Sequence, residues 1–347
     1  EPSVAAVAAA GLPQLAKEGH GEGSSARPAV SVMALAQTLA ALGRLDGPLL
    51  AAAEAALGRC AAAMDAASAA SPAGPWPGGP GVLGSVRAEG PRVLLELPRL
   101  CVLWKPPGWT VSVTNSEEGE EQSPAAAARG DGRAVQAWVA GELGERHPIA
   151  RDPAVSYGLL HRLDRETSGA LLWARSYGGY YAARLQFAAR RVRKAYVCLC
   201  HGWLAPAPRS FEAPLLELSP DDGPPRSVAS AEGRPARTEL LAAAHLLGPG
   251  GGRVSLAELL LHTGRQHQIR AHLGREGHPL VGDELYGGGA PAWCPRVCLH
   301  ARGLGLQLPE GPCEAEVPLP PDLRLALAAL AAGDAAAVRL MRRQLQR

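Results

Sequence analysis

The run His161-Arg162-Leu163-Asp164-Arg165-Glu166-Thr167-Ser168-Gly169 sets a carboxylate between two arginines. An opposite charge within a few ångströms favours the ionised acid, so Arg162 and Arg165 are expected to keep Asp164 charged. An ionised Asp in a basic cleft can serve as nucleophile or base. The same residues also read as an Asx-turn acid beside two phosphate-facing arginines. In Arg193-Lys194-Ala195-Tyr196 a strand begins, and because strand side chains alternate faces, Lys194 and Tyr196 point the same way. Tyr196 offers a flat ring to stack on a base and a hydroxyl to exchange a proton, or it is simply a half-buried strand tyrosine. The third run, His262-Thr263-Gly264-Arg265-Gln266-His267-Gln268-Ile269-Arg270, follows the apolar stretch Val254–Leu261. Thr263 and Gln266 have capping-box spacing, which predicts a helix beginning there, closed by Gly277 and Pro279. His267 and Arg270, three apart, would share a face, and such a junction favours anionic ligands.

Metal chemistry has weaker support. His262, His267 and His272 recur at five-residue intervals and so do not share a helical face. Cys198 and Cys200 would share a strand face beside His201, but Cys294 and Cys298 do not complete a zinc spacing. We expect no metal site. No nucleotide-binding loop or dinucleotide fingerprint occurs, and no cofactor is expected.

Around these runs the chain falls into three zones. Residues 1–70 are rich in Ala and Leu, with apolar residues at helical spacing over Val30–Leu42 and Leu49–Leu57, separated by Gly43 and Gly47-Pro48. This predicts a helical hairpin. Its wording resembles one unit of the helical-repeat arrays of some organellar RNA-binding proteins, and reads equally as an Ala-rich extension. Residues 71–91 have a linker composition of Pro and Gly. Residues 92–347 change texture. Strands are predicted at Val93–Leu97, Leu100–Trp104, before the Asp164 loop, and at Ala170–Ala174, Tyr196–Cys200, Thr238–Ala243 and Val254–Leu261. Helices are predicted at Ala134–Leu143 and Tyr180–Arg191, with one or two over Asp322–Leu345, while Asn115–Arg133 is an acidic loop. Short strands with occasional helices give an α+β class with a mainly antiparallel sheet.

Composition permits this and adds a charge asymmetry. With 347 residues, 47% of them hydrophobic, the chain can bury a full core. Formal charge is only +2, yet from His161 to Tyr196 eight Arg or Lys stand against Asp164 and Glu166. The chain has three lysines (Lys17, Lys105, Lys194), so its positive charge is mostly guanidinium, suited to planar contact with phosphate. A local basic stretch in a near-neutral chain predicts one cationic face. Seven scattered cysteines fit reduced thiols inside a cell, in the cytoplasm or an organelle. No apolar run is long enough to span a bilayer. The chain begins at Glu1 and not at Met, which reads as a fragment or processed product.

Taken together and in order, the motifs resemble the RluA-like family of RNA pseudouridine synthases. The resemblance runs from about Leu100 to Pro320. It takes in Lys105-Pro106-Pro107-Gly108, the Asp164 loop, Lys194-Ala195-Tyr196, Pro235-Ala236-Arg237-Thr238 and Thr263 to Arg270. It continues through Gly277-His278-Pro279-Leu280-Val281-Gly282-Asp283, Leu285-Tyr286-Gly287 and Cys298-Leu299-His300-Ala301. It implies the pseudouridine-synthase fold, a bent, mainly antiparallel sheet with flanking helices, here with a helical N-terminal extension. It implies an isomerase that converts uridine in ribosomal or transfer RNA to pseudouridine. Asp164 would be the essential aspartate, Tyr196 the tyrosine that stacks on the target base, and Arg270 the partner of the carboxylate. Arg162 would fill the space left by the flipped uridine. Arg162, Arg165, Lys194, Arg265 and His267 are expected to bind RNA. Trp104, Trp109 and Trp173 depart from the family's residue types, and the small N-terminal RNA-binding module of many relatives is not apparent. The alternatives are a non-catalytic RNA-binding protein that keeps the fold and a different nucleic-acid enzyme, such as a glycosylase, using Asp164 as its carboxylate.

Overall fold

The computed structural model describes residues 26–41, 43–69, 90–113, 133–205, 207–219, 223–308 and 311–346. Most of the linker, 71–91, and of the acidic loop, 115–133, lies outside the described residues. The helical hairpin is present as α1 (Ala26–Ala41) and α2 (Gly47–Ala69), joined by a turn in which the Asp46 carboxylate accepts the Leu49 N–H at 3.0 Å.

The sheet is built from β1 (Arg92–Glu96), β2 (Leu100–Lys105), β3 (Ser168–Ala174), β4 (Arg193–His201), β8 (Thr238–Leu247), β9 (Arg253–Leu261), β10 (Leu299–Leu308) and the short β12 (Ala331–Ala332). Their order across the sheet is β1-β2-β3-β10-β4-β9-β8-β12. All neighbours are antiparallel except β3 and β10. β5 (Arg209–Phe211) and β11 (Gly311–Glu316) extend it at β8 and β10, and β6 (Leu215–Leu218) with β7 (Arg226–Ala229) forms a separate ribbon. The helices are α3 (Val135–Glu142), α4 (Tyr177–Ala188), α5 (Gln268–Arg275), α6 (Pro321–Ala328) and α7 (Ala335–Gln346), so the tail is two helices.

Strands β2 and β3 are buried at every residue and apolar except for Lys105 at the end of β2 and Ser168 at the start of β3, as expected when both faces are covered. Along β4 the alternation assigns the cover. Tyr196, Cys198 and Cys200 pack into the core shared with the hairpin, while Val197 and Leu199 pack with Leu323 and Leu327 of α6 and Leu340 of α7. At the parallel β3–β10 pair, Gly169 has φ 128°, and a Cβ there would lie 2.2 Å from the Ala301 carbonyl oxygen, so this close approach requires glycine.

The hairpin belongs to the same packed body. Val32, Leu39, Leu49 and Leu57 share one core with Leu103, Leu171 and Tyr181. Its orientation is fixed by a charge: the Asp65 carboxylate of α2 accepts the N–H groups of Tyr177 (2.8 Å) and Gly178 (3.0 Å), the first residues of α4. Ser176 caps the next one, Gly179, at 3.2 Å. A carboxylate on these orphan donors also meets the positive end of the helix dipole.

Three local expectations are corrected. No strand precedes the Asp164 loop. Pro153–Gly158 forms tight 3-10 turns in which Ser156 and Tyr157 have φ 51° and 59°, and Leu159 makes only an isolated bridge to Trp173. The helix expected from Thr263 begins at Gln268, because the Thr263 hydroxyl is used elsewhere, accepting the Arg237 N–H (2.9 Å) and donating to Gln268 Oε1 (2.6 Å). Strand β10 went unread because His300, Arg302, Gly303 and Gly305 break its apolar pattern.

Replacing Asp65 by Ala should lower stability by about 1–2 kcal/mol in urea unfolding, the usual loss for a helix cap. An unchanged midpoint would show that the carboxylate does not hold the hairpin.

Candidate active site

The Asp164 loop is fixed from both ends by side chains distant in sequence. Lys105, fully buried at the end of β2, donates to the carbonyls of Pro106 (2.9 Å), Arg165 (3.0 Å) and Thr167 (2.7 Å). Three acceptors around one nitrogen match the three donors of an ammonium. Burial nevertheless pushes its pKa down to about 7, with Asp164 and Glu166 pulling it partly back. On the other side Arg296 donates to the Glu166 carbonyl (2.9 Å) and the Ser168 hydroxyl (3.1 Å), and is anchored by Asp322 at 2.5 Å. Ser168 in turn meets His300 Nδ1 at 3.1 Å, whose other nitrogen lies 3.1 Å from the Val317 carbonyl.

Behind Asp164 stands Arg270, near the start of α5. One of its nitrogens lies 3.6 Å from Asp164 Oδ2. Its other two donor nitrogens make a bidentate pair with Asp283, Nε to Oδ2 at 2.7 Å and Nη2 to Oδ1 at 2.8 Å. The guanidinium lies 5.1 Å from the Tyr286 ring centre, a cation–π contact. Burial alone would lower the Arg270 pKa, but the hydrogen bonds of Asp283 and the charges of Asp164 and Asp283 reverse this and raise it. Among the described residues this is the ion pair that reaches Asp164. Arg165 instead pairs with Glu166 at 3.7 Å, so the expectation that the flanking arginines hold the carboxylate gives way to a partner from another element.

Arg162, Asp164, Lys194, Tyr196, Arg265 and His267 line one cleft of about 510 Å³. Arg270 lies beneath it, and Arg165 is not in its lining. Tyr196 reaches the cleft with its hydroxyl pKa raised by burial and by the Asp164 charge, so it stays protonated at neutral pH. Arg162 Nε is buried and has no hydrogen-bond partner. Lys194 is partly committed, donating to the Thr263 carbonyl at 2.8 Å, and burial followed by the charge of Arg265 brings its pKa down to about 8. His267 has φ 50° and meets the Tyr286 hydroxyl at 3.3 Å. The other two histidines of that series go elsewhere, His262 to Glu239 (2.8 Å) and His272 to Thr238 and the Ala213 carbonyl (both 2.9 Å).

Residues that sequence reasoning missed complete the picture. Asp283 and Tyr286 stood in quoted motifs without a role. Arg184, Arg190 and Arg234 also line the cleft, where Asp164 is the one acid among the described lining residues. Such a cleft concentrates a polyanion beside a single carboxylate. Its signal in sequence was the Arg excess before Tyr196, but Arg234 lies outside that stretch.

A family model described as RNA pseudouridylate synthase matches residues 99–274, and the chain belongs to this family. An RNA pseudouridine synthase of Chloroflexus aurantiacus, named as uncharacterized, is 40% identical over 173 residues, 49% of this chain and 52% of that protein. The dual-specificity RNA pseudouridine synthase RluA of Escherichia coli is 34% identical over 151 residues, 43% of this chain and 67% of that one. The chain spans about half the length of several curated relatives it matches, such as those of Chloroflexus aurantiacus and Bacillus subtilis. The solved structure of human RNA Pseudouridylate Synthase Domain Containing 1 shares the fold, with a TM-score of 0.51 at 24% identity, covering 75% of this chain and 98% of that one.

Lys105 gives a pH test. The unfolded chain holds its lysine proton up to about 10.5 and the folded chain only to about 7, so between these values unfolding takes up protons and stability rises with pH. Wild type should therefore gain stability relative to Lys105→Met between pH 6 and pH 9 in urea unfolding. A constant difference would contradict the lowered pKa of Lys105.

Proposed function

We propose that this chain isomerises specific uridines in RNA to pseudouridine, with Asp164 as the catalytic carboxylate. The observation that carries the reading is Asp164 at the floor of a cationic cleft, 3.6 Å from a buried arginine and sharing the cleft with Tyr196. The reaction breaks the N1–C1′ bond, turns the base and joins C5 to C1′, with the C5 proton released and N1 taking up a proton. The composition is unchanged and no electrons are transferred, so the balance needs no cofactor.

Each residue then has a task. A flipped uridine enters the cleft, and Tyr196 stacks on its base while its protonated hydroxyl remains a hydrogen-bond donor. Asp164 acts on the sugar or the ring. Attack at C1′, addition to the pyrimidine and removal of a sugar proton all require the ionised carboxylate, which Arg270 orients. Arg162, with its unpartnered Nε, takes the place left by the base. Arg165, Lys194, Arg265 and His267, with Arg184, Arg190 and Arg234, meet the backbone, Lys194 chiefly by holding the Thr263 loop. We assign residues 92–347 as the catalytic unit, with 1–70 as a helical extension joined through 71–91, and ribosomal or transfer RNA as substrate. The protein would act inside the cell, in keeping with seven buried free thiols. Among the described residues no helix is long and apolar enough to cross a membrane.

Asp164→Asn should abolish tritium release from RNA carrying 5-³H-uridine while the thermal unfolding midpoint stays near that of wild type. Turnover at the wild-type rate would refute the assignment, and free uracil in place of retained C-glycoside would mark a glycosylase.

A further inference from the structure

The cleft is not made by the family-matched residues alone. Ala34, Gln37, Thr38 and Ala41 of α1 line it too, although they lie well before residue 99, where the family match begins. Their spacing of three, four and seven residues puts them on one stripe of the helix. The opposite side of α1, with Val32, Met33, Ala36 and Leu39, is buried in the common core, and α2 is tied to α4 through Asp65. The stripe is therefore held in place beside the catalytic groups.

We propose that α1 is a specificity wall of the cleft, contacting the sugars and bases of the RNA strand while the lining arginines take its phosphates. The inference rests on the pseudouridine synthase reading of the site. Three observations support it. The stripe carries no charge, whereas the rest of the lining bears a net positive charge, so the two sides suit different parts of a nucleotide. The Thr38 hydroxyl donates to its own helix, to the Ala34 carbonyl at 2.9 Å, which leaves its oxygen as an acceptor for a ribose 2′-hydroxyl. Just past α4, Arg190 lines the same cleft, exposed, with a backbone φ of 55° and no side-chain partner among the described residues. A side chain so placed is suited to a phosphate. Small residues at 34 and 41 let the strand pass close to the helix.

The test uses Thr38→Trp and Ala41→Trp, both at exposed positions, with Ala55→Trp on an exposed part of α2 outside the cleft as control. Unmodified transcripts of ribosomal and transfer RNA serve as probes, and pseudouridine formation is measured over a range of RNA concentrations. The two wall variants should raise KM by about tenfold or more with kcat within about twofold, and the control should match wild type. An unchanged KM, or a loss confined to kcat, would overturn the proposal. Because the native cysteines are all buried, Thr38→Cys can carry a photo-crosslinker selectively. RNA should then crosslink at position 38 and not from Ala55→Cys, and bound RNA without a crosslink at 38 would also overturn it. If wild type bound RNA but formed no pseudouridine, the catalytic reading would fail, and the crosslink would still decide the wall.

Discussion

One guanidinium, that of Arg270, is shared between two aspartates, and the geometry of the candidate site depends on that sharing. A buried arginine is tolerable only with its charge and donors engaged, and loss of a partner leaves an uncompensated charge. Asp283, fully buried, takes two donors in a planar fork, and the Tyr286 ring covers the guanidinium. That leaves one nitrogen directed at Asp164 at 3.6 Å, longer than the Asp283 contacts. The arrangement fixes Arg270 without tying up Asp164, whose carboxylate stays open to the cleft.

For this to work, both aspartates must sit on rigid backbone. Asp283 follows Gly282, whose φ of 81° lets the chain turn where a Cβ would lie 2.0 Å from the Arg296 carbonyl oxygen. The same Arg296 reaches from beside that turn to the Glu166 carbonyl and Ser168, so the loops carrying the two acids are linked through one residue. Lys105 secures the Asp164 loop from the opposite side. Both clamps work through backbone carbonyls, which explains how a loop with an exposed Arg165 and Glu166 can still present Asp164 in one place.

Much of this was readable before the structure, and the failures are instructive. Strands such as Leu100–Trp104 announce themselves because burial on both faces demands an unbroken apolar run. Strand β10 does not, since its His300 and Arg302 are buried through specific partners that only the tertiary fold supplies. The Thr263–Gln266 spacing suggested a capped helix, but the amide that organises this turn belongs to Gln268, which takes the Thr263 hydroxyl and the Arg265 N–H and donates to Thr238. Asp164, Tyr196 and Arg270 were singled out through the resemblance of the whole motif series, and the fold brings them to one place. Asp283 was passed over because its link to Arg270 is made by a turn at Gly282 and not by helical spacing. The cationic cleft was legible in the excess of Arg and Lys from His161 to Tyr196 despite a net charge of +2, because the balancing acids lie elsewhere, although Arg234 and Arg265 fall outside that stretch.

The central claim is that Asp164 performs the chemistry from a position set by Arg270 and, through it, by Asp283. Asp283→Asn tests this most directly, since the amide keeps the shape but removes the charge and one of the two acceptors. Single-turnover pseudouridine formation should slow by on the order of tenfold or more, with RNA affinity within about twofold of wild type and the fold retained. A wild-type rate in that variant would contradict the account.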